Sequence, residues 1–359
     1  MVFEQVATGG CRSYLIGCAE TCIGALIDPH LSQLDHYRAL AGRQGVRIAY
    51  VIDTHTHADH FSGAQRISRE LGAPVVMHWT SPAPFVDLRL DDGDVLMVGK
   101  LRIQALHTPG HTADSMCLVL EDRVFTGDTL LIGGTGRTDL PTGDPVKLYE
   151  SLFEKLLRLP PETLVYPAHD YKDRSNSTIG EEIASNPRLQ AKDEASFVAM
   201  MNALNLSMPT HLTEALRTNM SGGKTVSQLL TDAGSRIAFI SPAELGRRLA
   251  AGANDLLVLD VREAEAWRAG HIPGSQNLPR GQLELRVNKE LPDPTRRIVV
   301  ACEVGMVSTL AAATLRELGF PRAVGLDGGL KAWRELSLPL EESKPGEGPF
   351  AGADFDFTI

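Results

Sequence analysis

Four potential metal ligands stand close together, directly after an apolar segment. The segment IAYVIDT (48–54) is typical of a buried strand, and it runs into His55, His57, Asp59 and His60. Alternate residues of an extended segment point the same way, which places His55 and His57 on one side. Imidazole and carboxylate groups are ligands for transition metals. The fold must therefore bring the end of this strand to a metal site.

Three further potential ligands follow later strand-like segments. His111 in TPGHT, Asp128 in TGDT and His169 in YPAHD each stand where an apolar run meets a polar loop. Side chains placed in this way can converge on one edge of a sheet, so the seven residues together predict a metal site. The other histidines lack such a setting and are predicted to be structural or surface residues: His30, His36, His78, His107, His211 and His271.

Length and composition narrow the class of protein. A chain of 359 residues suggests about two domains, and a net charge of −10 argues against a nucleic-acid partner or an anionic membrane surface. No apolar run approaches the ~20 residues of a membrane helix. The start, MVFEQVATGG, lacks a secretory signal pattern, and five cysteines without CxxC argue against a disulfide framework. We expect a cytoplasmic protein with no membrane partner, and homo-oligomer formation is left open.

Strand-like and helix-like segments alternate along the chain, which predicts an α/β layered architecture. A helix is predicted over 145–159, starting at Pro145, and another over about 193–206. Polar, irregular sequence is expected from there to Ser235, with Ser221-Gly222-Gly223 as the linker candidate. A second series of alternating segments follows. Apolar runs predict strands at 74–78, 101–108, 115–121, 123–130 and 164–170.

The metal motifs carry a family resemblance. THTHADH, TPGHT, TGDT and PAHD resemble the motifs of the metallo-β-lactamase superfamily, whose fold is an αββα sandwich and whose members mainly catalyse hydrolysis. A finer resemblance, over about residues 1–220, is to persulfide dioxygenases of the glyoxalase II-like branch. Its most discriminating part is GTGRTDL (134–140). The other matching segments are GGCRSYLIG (9–17), IDTHTHADH (52–60), VYPAHDYKD (165–173) and NPRL (186–189).

This resemblance implies a reaction and a metal. The family oxidises glutathione persulfide with O₂ to sulfite and glutathione, and its Fe(2+), one per chain, would be held here by His55, His111 and Asp128. Two histidines and a carboxylate are the ligand set of non-heme Fe(II) oxygenases. The remaining motif residues would orient ligands and solvent, but they equally permit a second metal, as in a zinc pair: His57, Asp59, His60 and His169.

Three residues are candidates for contacts with glutathione. Arg137 matches the arginine of the family's GRTD segment, and a guanidinium can pair with a carboxylate through two hydrogen bonds. Its alternative is an ion pair with Asp139. Tyr171 follows the last metal motif and is alternatively a packed aromatic. Arg217 is alternatively a solvated charge.

A cysteine in the second half stands between a strand and a helix. Cys302 follows Ile298-Val299-Val300-Ala301, and backbone N–H groups at the start of the next helix can stabilise a thiolate or persulfide, with Gly305 permitting a tight loop. Its surroundings, over about 238–342, resemble rhodanese domains through LLVLDVREAEAWRAGHIPGSQNLP (256–279) and GLDGGLKAW (325–333). The resemblance implies that Cys302 carries a persulfide during sulfur transfer.

The cysteine loop departs from that family, which commonly has a basic residue after the cysteine and another near the end of the loop. Glu303 and Val307 occupy these places, and a carboxylate should repel thiosulfate or sulfite. Asp260–Arg262 is predicted to be an ion pair and His271 to make a turn contact. Elsewhere, Cys11 is predicted to be structural and Cys117 to lie in the core.

We predict a metallo-β-lactamase-like sandwich over 1–235, including a helical extension from about 190, and a smaller α/β rhodanese-like domain with a parallel sheet over 236–343. An extended tail is predicted at 344–359. The predicted function is persulfide dioxygenation coupled to sulfur transfer among glutathione persulfide, sulfite and thiosulfate. The alternatives are a dinuclear glutathione thioester hydrolase of the glyoxalase II type and a dioxygenase whose second domain is only a sulfur carrier or docking module.

Overall fold

The structure, a computed structural model, describes residues 1–208, 212–252 and 255–343. It divides into two compact units, Met1–Gly223 and Lys224–Ile359. The predicted domain bounds, 1–235 and 236–343, stay a prediction. His211 and the predicted tail at 344–359 lie outside the described residues.

The first unit contains two six-stranded sheets and a two-stranded hairpin. The first sheet is formed, in spatial order, by β1 (Val2–Thr8), β2 (Cys11–Cys18), β3 (Ile23–Ile27), β4 (Arg47–Ile52), β5 (Val75–His78) and β6 (Leu88–Leu90). Chain order continues with β7 (Val95–Val98), β8 (Leu101–His107), β9 (Met116–Val119), β10 (Arg123–Gly127), the hairpin β11 (Leu130–Leu131) and β12 (Gly134–Thr135), β13 (Leu164–Pro167) and β14 (Ser177–Thr178). The second sheet has the order β14-β13-β10-β9-β8-β7.

Pairing within the two sheets is mixed. In the first sheet β1 to β3 are antiparallel and β3 to β6 are parallel, whereas in the second only β10 and β13 are parallel. The helices of this unit are α1 (Leu34–Arg43), α2 (Ala64–Leu71), α3 (Pro145–Glu150), α4 (Ile179–Ser185), α5 (Glu194–Asn202) and α6 (Leu212–Ser221).

The two sheets pack face to face. Tyr14 and Ile52 of the first sheet share a buried cluster with Met116 and Phe125 of the second, and the Tyr14 hydroxyl donates to Pro167 O at 2.6 Å. Helices α1 and α2 cover the outer face of the first sheet, and α3 and α5 cover that of the second. Each apolar face is thereby buried against a second layer, which confirms the predicted αββα sandwich.

Two predicted stretches differ from the structure. The helix expected over 145–159 begins at Pro145, but its α-helical part ends at Glu150, and π-helical and 3-10 turns continue it to Arg158. The expectation of irregular sequence up to Ser235 is wrong, because α6 and a further helix, α7 (Val226–Gly234), lie there. Each of these helices buries only one or two side chains.

The second unit is built on a five-stranded parallel sheet. The strands are β15 (Ala238–Ile240), β16 (Leu256–Asp260), β17 (Gln276–Asn277), β18 (Arg297–Ala301) and β19 (Ala323–Leu326), in the spatial order β15-β19-β18-β16-β17. Both faces are covered by apolar clusters, which confirms the predicted α/β domain with a parallel sheet. The helices are α7, α8 (Pro242–Ala250), α9 (Ala264–Arg268), α10 (Leu283–Glu290), α11 (Met306–Glu317) and α12 (Gly329–Glu335).

Among the described residues, no helix combines the length and the apolar character that a membrane crossing requires. All five cysteines lie in the described part of the chain, and all five are free thiols.

Candidate metal centre and cysteine loop

The predicted metal ligands lie in three buried or half-buried groups. His55, His111 and Asp128 form one group, in which one donor atom from each residue lies within 4.8 Å of the others. The structure thus brings together the three residues that the resemblance implies as iron ligands, at the ends of β4 and β10 and in the loop after β8. The other motif residues are divided between two groups: Cys11 with Asp59, His60 and His169, and His57 with Asp28 and Asp53.

The first group fits a transition-metal ion. His55 Nδ1 lies 3.0 Å from Thr54 Oγ1, while its buried Nε2 has no hydrogen-bond partner among the described residues. His111 Nδ1 lies 2.8 Å from Arg137 O, so its Nε2 is left to face Asp128 Oδ2 at 3.5 Å. Metal-binding histidines commonly hydrogen-bond through their other nitrogen in this way. A bound cation would satisfy the unpaired nitrogen and balance the buried carboxylate.

His169 connects the first group to the second. Its Nδ1 lies 2.6 Å from Asp128 Oδ1 and its Nε2 lies 2.8 Å from Asp59 Oδ2. Burial opposes the charged form of this ring, but Asp128 and the two hydrogen bonds outweigh burial and raise the pKa of His169 well above its ordinary value. The same contacts hold the pKa of Asp128 below its usual range. His169 therefore pairs with both carboxylates and orients them.

Cys11 completes the second group, and the structural role predicted for it stays a prediction. Its Sγ lies 3.7 Å from both Asp59 Oδ2 and His60 Nδ1, and its backbone forms an antiparallel bridge with His169. Burial would raise the pKa of the Cys11 thiol, but hydrogen bonds to His169 and His60 lower it to about 7. No signal in the sequence pairs Cys11 with residues so distant along the chain.

The third group supports the turn after β4. Asp28 accepts hydrogen bonds from Thr54 N at 2.7 Å and Thr54 Oγ1, and it lies 3.2 Å from His57 Nε2. Burial raises the pKa of the neighbouring Asp53 to about 6. His57 Nδ1 and His60 Nε2 are, like His55 Nε2, without hydrogen-bond partners in the described ranges. Both atoms are therefore available as additional metal ligands.

A helical residue that sequence reasoning did not single out also holds this loop. Asn219 of α6 is buried, and its Nδ2 donates to His57 O and His60 O at 2.9 Å each. Its Oδ1 accepts from Ser62 N at 3.1 Å. One amide side chain thus fixes both ends of the His57–His60 segment.

A pocket of about 620 Å³ opens beside His111, Asp128 and His169. Its volume lies within the common range for sites of small ligands. Arg137 and Tyr171, predicted to contact glutathione, line this pocket, whereas Arg217 is exposed on α6 and is not among the lining residues in the described part of the chain.

The cations that line the pocket differ in their partners. Arg137 donates to both carboxylate oxygens of Asp139, at 2.5 and 2.6 Å, and to Ser207 O at 2.8 Å, so the predicted alternative for this residue, an ion pair, is present. Arg174 pairs with Asp170. Half-buried Arg188 donates to Thr135 O and Oγ1, and within the described residues no carboxylate contacts it. Burial lowers its pKa.

Two motif glycines are explained by the space around the metal ligands. A Cβ on Gly127, which has a φ of +51°, would lie 2.6 Å from Thr54 Oγ1. A Cβ on Gly136 would lie 2.1 Å from Asp128 O and 2.8 Å from His111 Nδ1. Real Cβ atoms do not approach so closely, so a side chain at Gly136 would displace two of the three ligands of the first group.

The cysteine loop lies at the carboxyl end of β18, before α11. Cys302 Sγ is buried, accepts from Ser308 N at 3.2 Å and lies 3.3 Å from Ser308 Oγ. Gly305, which was predicted to permit a tight loop, adopts the left-handed conformation with a φ of +89°. The backbone N–H of Ser308 in the first turn of α11 is thus directed at the sulfur, where it can stabilise a thiolate or persulfide.

Arginines surround the carboxylate beside this cysteine. Arg334 donates to both oxygens of Glu303, and Arg262 Nη1 lies 3.3 Å from Glu303 Oε2. The predicted ion pair of Arg262 with Asp260 is confirmed, at 2.7 Å. The predicted turn contact of His271 is also confirmed, because its Nδ1 lies 2.9 Å from Trp267 O.

We expect Gly136→Ala to lose most of the bound metal, since its methyl group would collide with Asp128 O and His111. Gly134→Ala is the matched control, because the nearest atom to its Cβ, Leu131 Cβ, is 4.0 Å away. Metal per chain, measured by elemental analysis after purification, checks the prediction. Equal metal content in the two variants would contradict it.

Comparisons with known proteins agree with these observations. The metallo-beta-lactamase superfamily matches residues 7–169, and the rhodanese-like domain family matches residues 241–336. The chain is 40% identical over 214 residues to the mitochondrial persulfide dioxygenase ETHE1 of Homo sapiens, covering 59% of this chain and 84% of that protein. It is 38% identical over 182 residues to the hydroxyacylglutathione hydrolase of Polaromonas sp., covering 48% of this chain and 67% of that protein.

The crystal structure of ETHE1 from Myxococcus xanthus matches with a TM-score of 0.61 and 40% identity, covering 62% of this chain and all of that one. This chain therefore belongs to the persulfide dioxygenase family of the metallo-beta-lactamase superfamily, and it carries a rhodanese-like domain as well.

Proposed function

We propose that this protein oxidises glutathione persulfide with O₂ at a single non-heme iron and transfers sulfane sulfur through Cys302. In the first reaction glutathione persulfide, O₂ and water give glutathione and sulfite. In the second, Cys302 exchanges sulfur among glutathione persulfide, sulfite and thiosulfate. Similarity to relatives named persulfide dioxygenases supports the first reaction, and the rhodanese-like domain supports the second.

The observation that carries the proposed dioxygenase is the hydrogen bonding of His169. Both of its ring nitrogens are occupied by carboxylates, at 2.6 Å from Asp128 and 2.8 Å from Asp59. A second metal that used His169 as a ligand would have to displace one of these charge-assisted contacts. A metal in the first group would bind His55 Nε2, His111 Nε2 and Asp128 Oδ2, and none of these atoms takes part in the contacts of His169. This difference favours one metal, held by two histidines and one carboxylate.

The residues around the centre have separate tasks in this proposal. Iron, when bound, supplies open positions for substrate sulfur and O₂. His169 keeps a proton at Nδ1 against Asp128 Oδ1, which leaves Asp128 Oδ2 to the metal. Arg137 O fixes the ring of His111. Asn219 and Asp28 hold the turn that carries His55 and His57, so the ligands are oriented before the metal binds.

A dinuclear thioester hydrolase is the second candidate, and one observation favours it. His57 Nδ1 and His60 Nε2 are both buried without hydrogen-bond partners in the described part of the chain. Two zinc ions could use them, together with Asp59 and Asp128. The similarity to a hydroxyacylglutathione hydrolase is consistent with this alternative. A sulfur-transfer domain, however, has no task in thioester hydrolysis.

We infer that Arg188 binds a carboxylate of glutathione. Arg137, the candidate from the sequence, already donates to Asp139 and to Ser207 O. Arg188 lines the same pocket and is half-buried without a carboxylate partner in the described ranges. A cation that has lost part of its hydration gains from pairing with an anion there. The substrate would thus supply the missing counter-charge.

The union of the two activities in one chain has a kinetic consequence. Sulfite formed in the first unit and sulfur bound at Cys302 share one molecule, and a covalent link raises the effective concentration of one site's product at the other. A second domain that served only as a sulfur carrier or docking module would not turn over at Cys302. It would therefore gain nothing from the raised concentration of sulfite.

The purified protein is expected to contain one iron per chain and to consume O₂ when glutathione persulfide is added, with sulfite as product. His111→Ala should lose both iron and O₂ uptake, because it removes one of three ligands. His36→Ala, an exposed histidine on α1, is the control. Elemental analysis, an oxygen electrode and sulfite detection make the measurement. Two zincs per chain, no O₂ uptake and thioester cleavage would establish the hydrolase instead.

Arg188→Gln should raise KM for glutathione persulfide about tenfold, the effect of losing ~1.4 kcal/mol of charge-assisted binding, with a smaller change in kcat. Arg188→Lys keeps the charge and should recover part of the loss. Steady-state O₂ consumption gives both constants. An unchanged KM in Arg188→Gln, together with a raised KM in Arg137→Gln, would return the role to Arg137.

Cys302→Ser should abolish sulfur transfer while O₂ uptake continues, because the two reactions use different units. Cys22→Ser, at an exposed cysteine of the first unit, is the control. Transfer is followed as thiosulfate formed from glutathione persulfide and added sulfite. Transfer that persists unchanged in Cys302→Ser would refute this cysteine as the sulfur carrier.

A further inference from the structure

We propose that Glu303 makes Cys302 selective for sulfane sulfur carried by an organic thiol, over sulfane sulfur carried by thiosulfate. This inference rests on the proposed sulfur transfer at Cys302 and names the class of donor that the site prefers. It is carried by the contacts of Glu303 and by the side chains exposed on the same loop.

The position of Glu303 is fixed by the start of α12. Leu330 N donates to Cys302 O and Lys331 N donates to Glu303 O, each at 2.9 Å. Gly329 allows this approach, since a Cβ there would lie 2.4 Å from Cys302 O. The backbone of Cys302 and Glu303 therefore cannot move away from α12 without breaking these hydrogen bonds.

The Glu303 carboxylate pairs with the guanidinium groups of Arg334 and Arg262 beside the loop. Arg334 donates to both oxygens of Glu303, which is the two-pronged geometry that an arginine would otherwise offer to an oxyanion. Arg262 reaches Glu303 at 3.3 Å but is committed to Asp260, with Nε and Nη2 donating to that carboxylate. Arg334 is thus the cation that loss of Glu303 would set free.

Thiosulfate is poorly suited to this arrangement. It carries two negative charges, so its approach to Cys302 requires a cation or costs repulsion from Glu303. The side chains of Glu303 and Arg334 are each nearly half exposed, at 49% and 44%. Water and salt therefore screen both the attraction of thiosulfate to a cation and its repulsion from Glu303. The expected discrimination is therefore moderate and dependent on ionic strength.

An organic persulfide finds different surroundings on the same loop. Val304, Met306 and Val307 are 47%, 52% and 42% exposed, so the surface beside Cys302 presents apolar side chains. The carbon chain of a thiol can contact these residues, whereas thiosulfate has no apolar part. Met306 can adjust its shape to such a ligand because its side chain is unbranched and flexible.

The transfer step balances without an added oxidant or reductant. The Cys302 thiolate attacks the outer sulfur of R–S–SH, and a new S–S bond forms as the bond between the two donor sulfurs breaks. The donor leaves as a thiolate and takes up the persulfide proton, giving R–SH. Cys302 then carries the persulfide anion, toward which the Ser308 N–H is directed at 3.2 Å from Sγ.

The test compares two donors on the full-length protein. Glutathione persulfide or thiosulfate is mixed with wild type or Glu303→Gln, and addition of one sulfur atom to Cys302 is followed by mass spectrometry in a single turnover. We expect wild type to react faster with glutathione persulfide. Glu303→Gln should raise the rate ratio of thiosulfate to glutathione persulfide about five- to tenfold at low ionic strength, and less at high salt.

Two further variants separate the causes. Glu335→Gln removes the same charge from an exposed position on α12 and should leave the ratio unchanged. In the double variant E303Q/R334A the gain should disappear, because the freed guanidinium is then missing. A gain that survived in the double variant would overturn the assignment to Arg334.

The remaining outcomes distinguish this inference from the function on which it rests. If wild type used thiosulfate as fast as glutathione persulfide, or if Glu303→Gln lowered the ratio, selectivity by Glu303 would be refuted while transfer at Cys302 stood. If neither donor placed sulfur on Cys302 in any variant, the proposed transfer itself would fail.

Discussion

The burial of carboxylates among histidines at the ends of β4, β10 and β13 is the constraint on which the first unit depends. A buried carboxylate is costly unless it is paired and hydrogen-bonded. Asp28 meets this need with Thr54 and His57, and Asp128 meets it with His169. The sandwich brings these strand ends together. The buried carboxylates of Asp28 and Asp128 then require hydrogen-bonding side chains beside them.

Sterics impose the second requirement on the same region. Gly127 and Gly136 stand where two chain segments pass so closely that even a methyl group would collide with a ligand or its support. The short glycine-containing motifs are therefore part of the candidate metal centre, although glycine offers no side-chain donor atom. A similar arrangement serves the second unit, where Gly329 lets α12 approach the backbone of Cys302.

The sequence was most informative where the relevant residues are close along the chain. The His55–His60 cluster follows a strongly apolar strand, and the ligand motifs mark strand ends, so the fold class and the convergence of ligands could be anticipated. Cys11, Arg188 and Asn219 could not, because their partners lie far away in sequence and their immediate surroundings have no distinctive pattern. Helices α6 and α7 were missed because Ser221-Gly222-Gly223 was taken as a linker, and each helix buries only one or two side chains. Which residues hold a metal, and where the functional domains divide, stay predictions.

The hydrogen bonds from Asn219 to the loop of His57 and His60 have a consequence for how the protein is made. The loop and its clamp are 159 residues apart along the chain. At ~5–20 residues per second a ribosome needs about 8 to 30 s to pass from one to the other. During that interval the nascent chain already exposes its histidines while the amide that fixes their backbone has not yet been synthesised. The hydrogen bonds that hold the backbone of this loop can therefore form only after Asn219 has been synthesised.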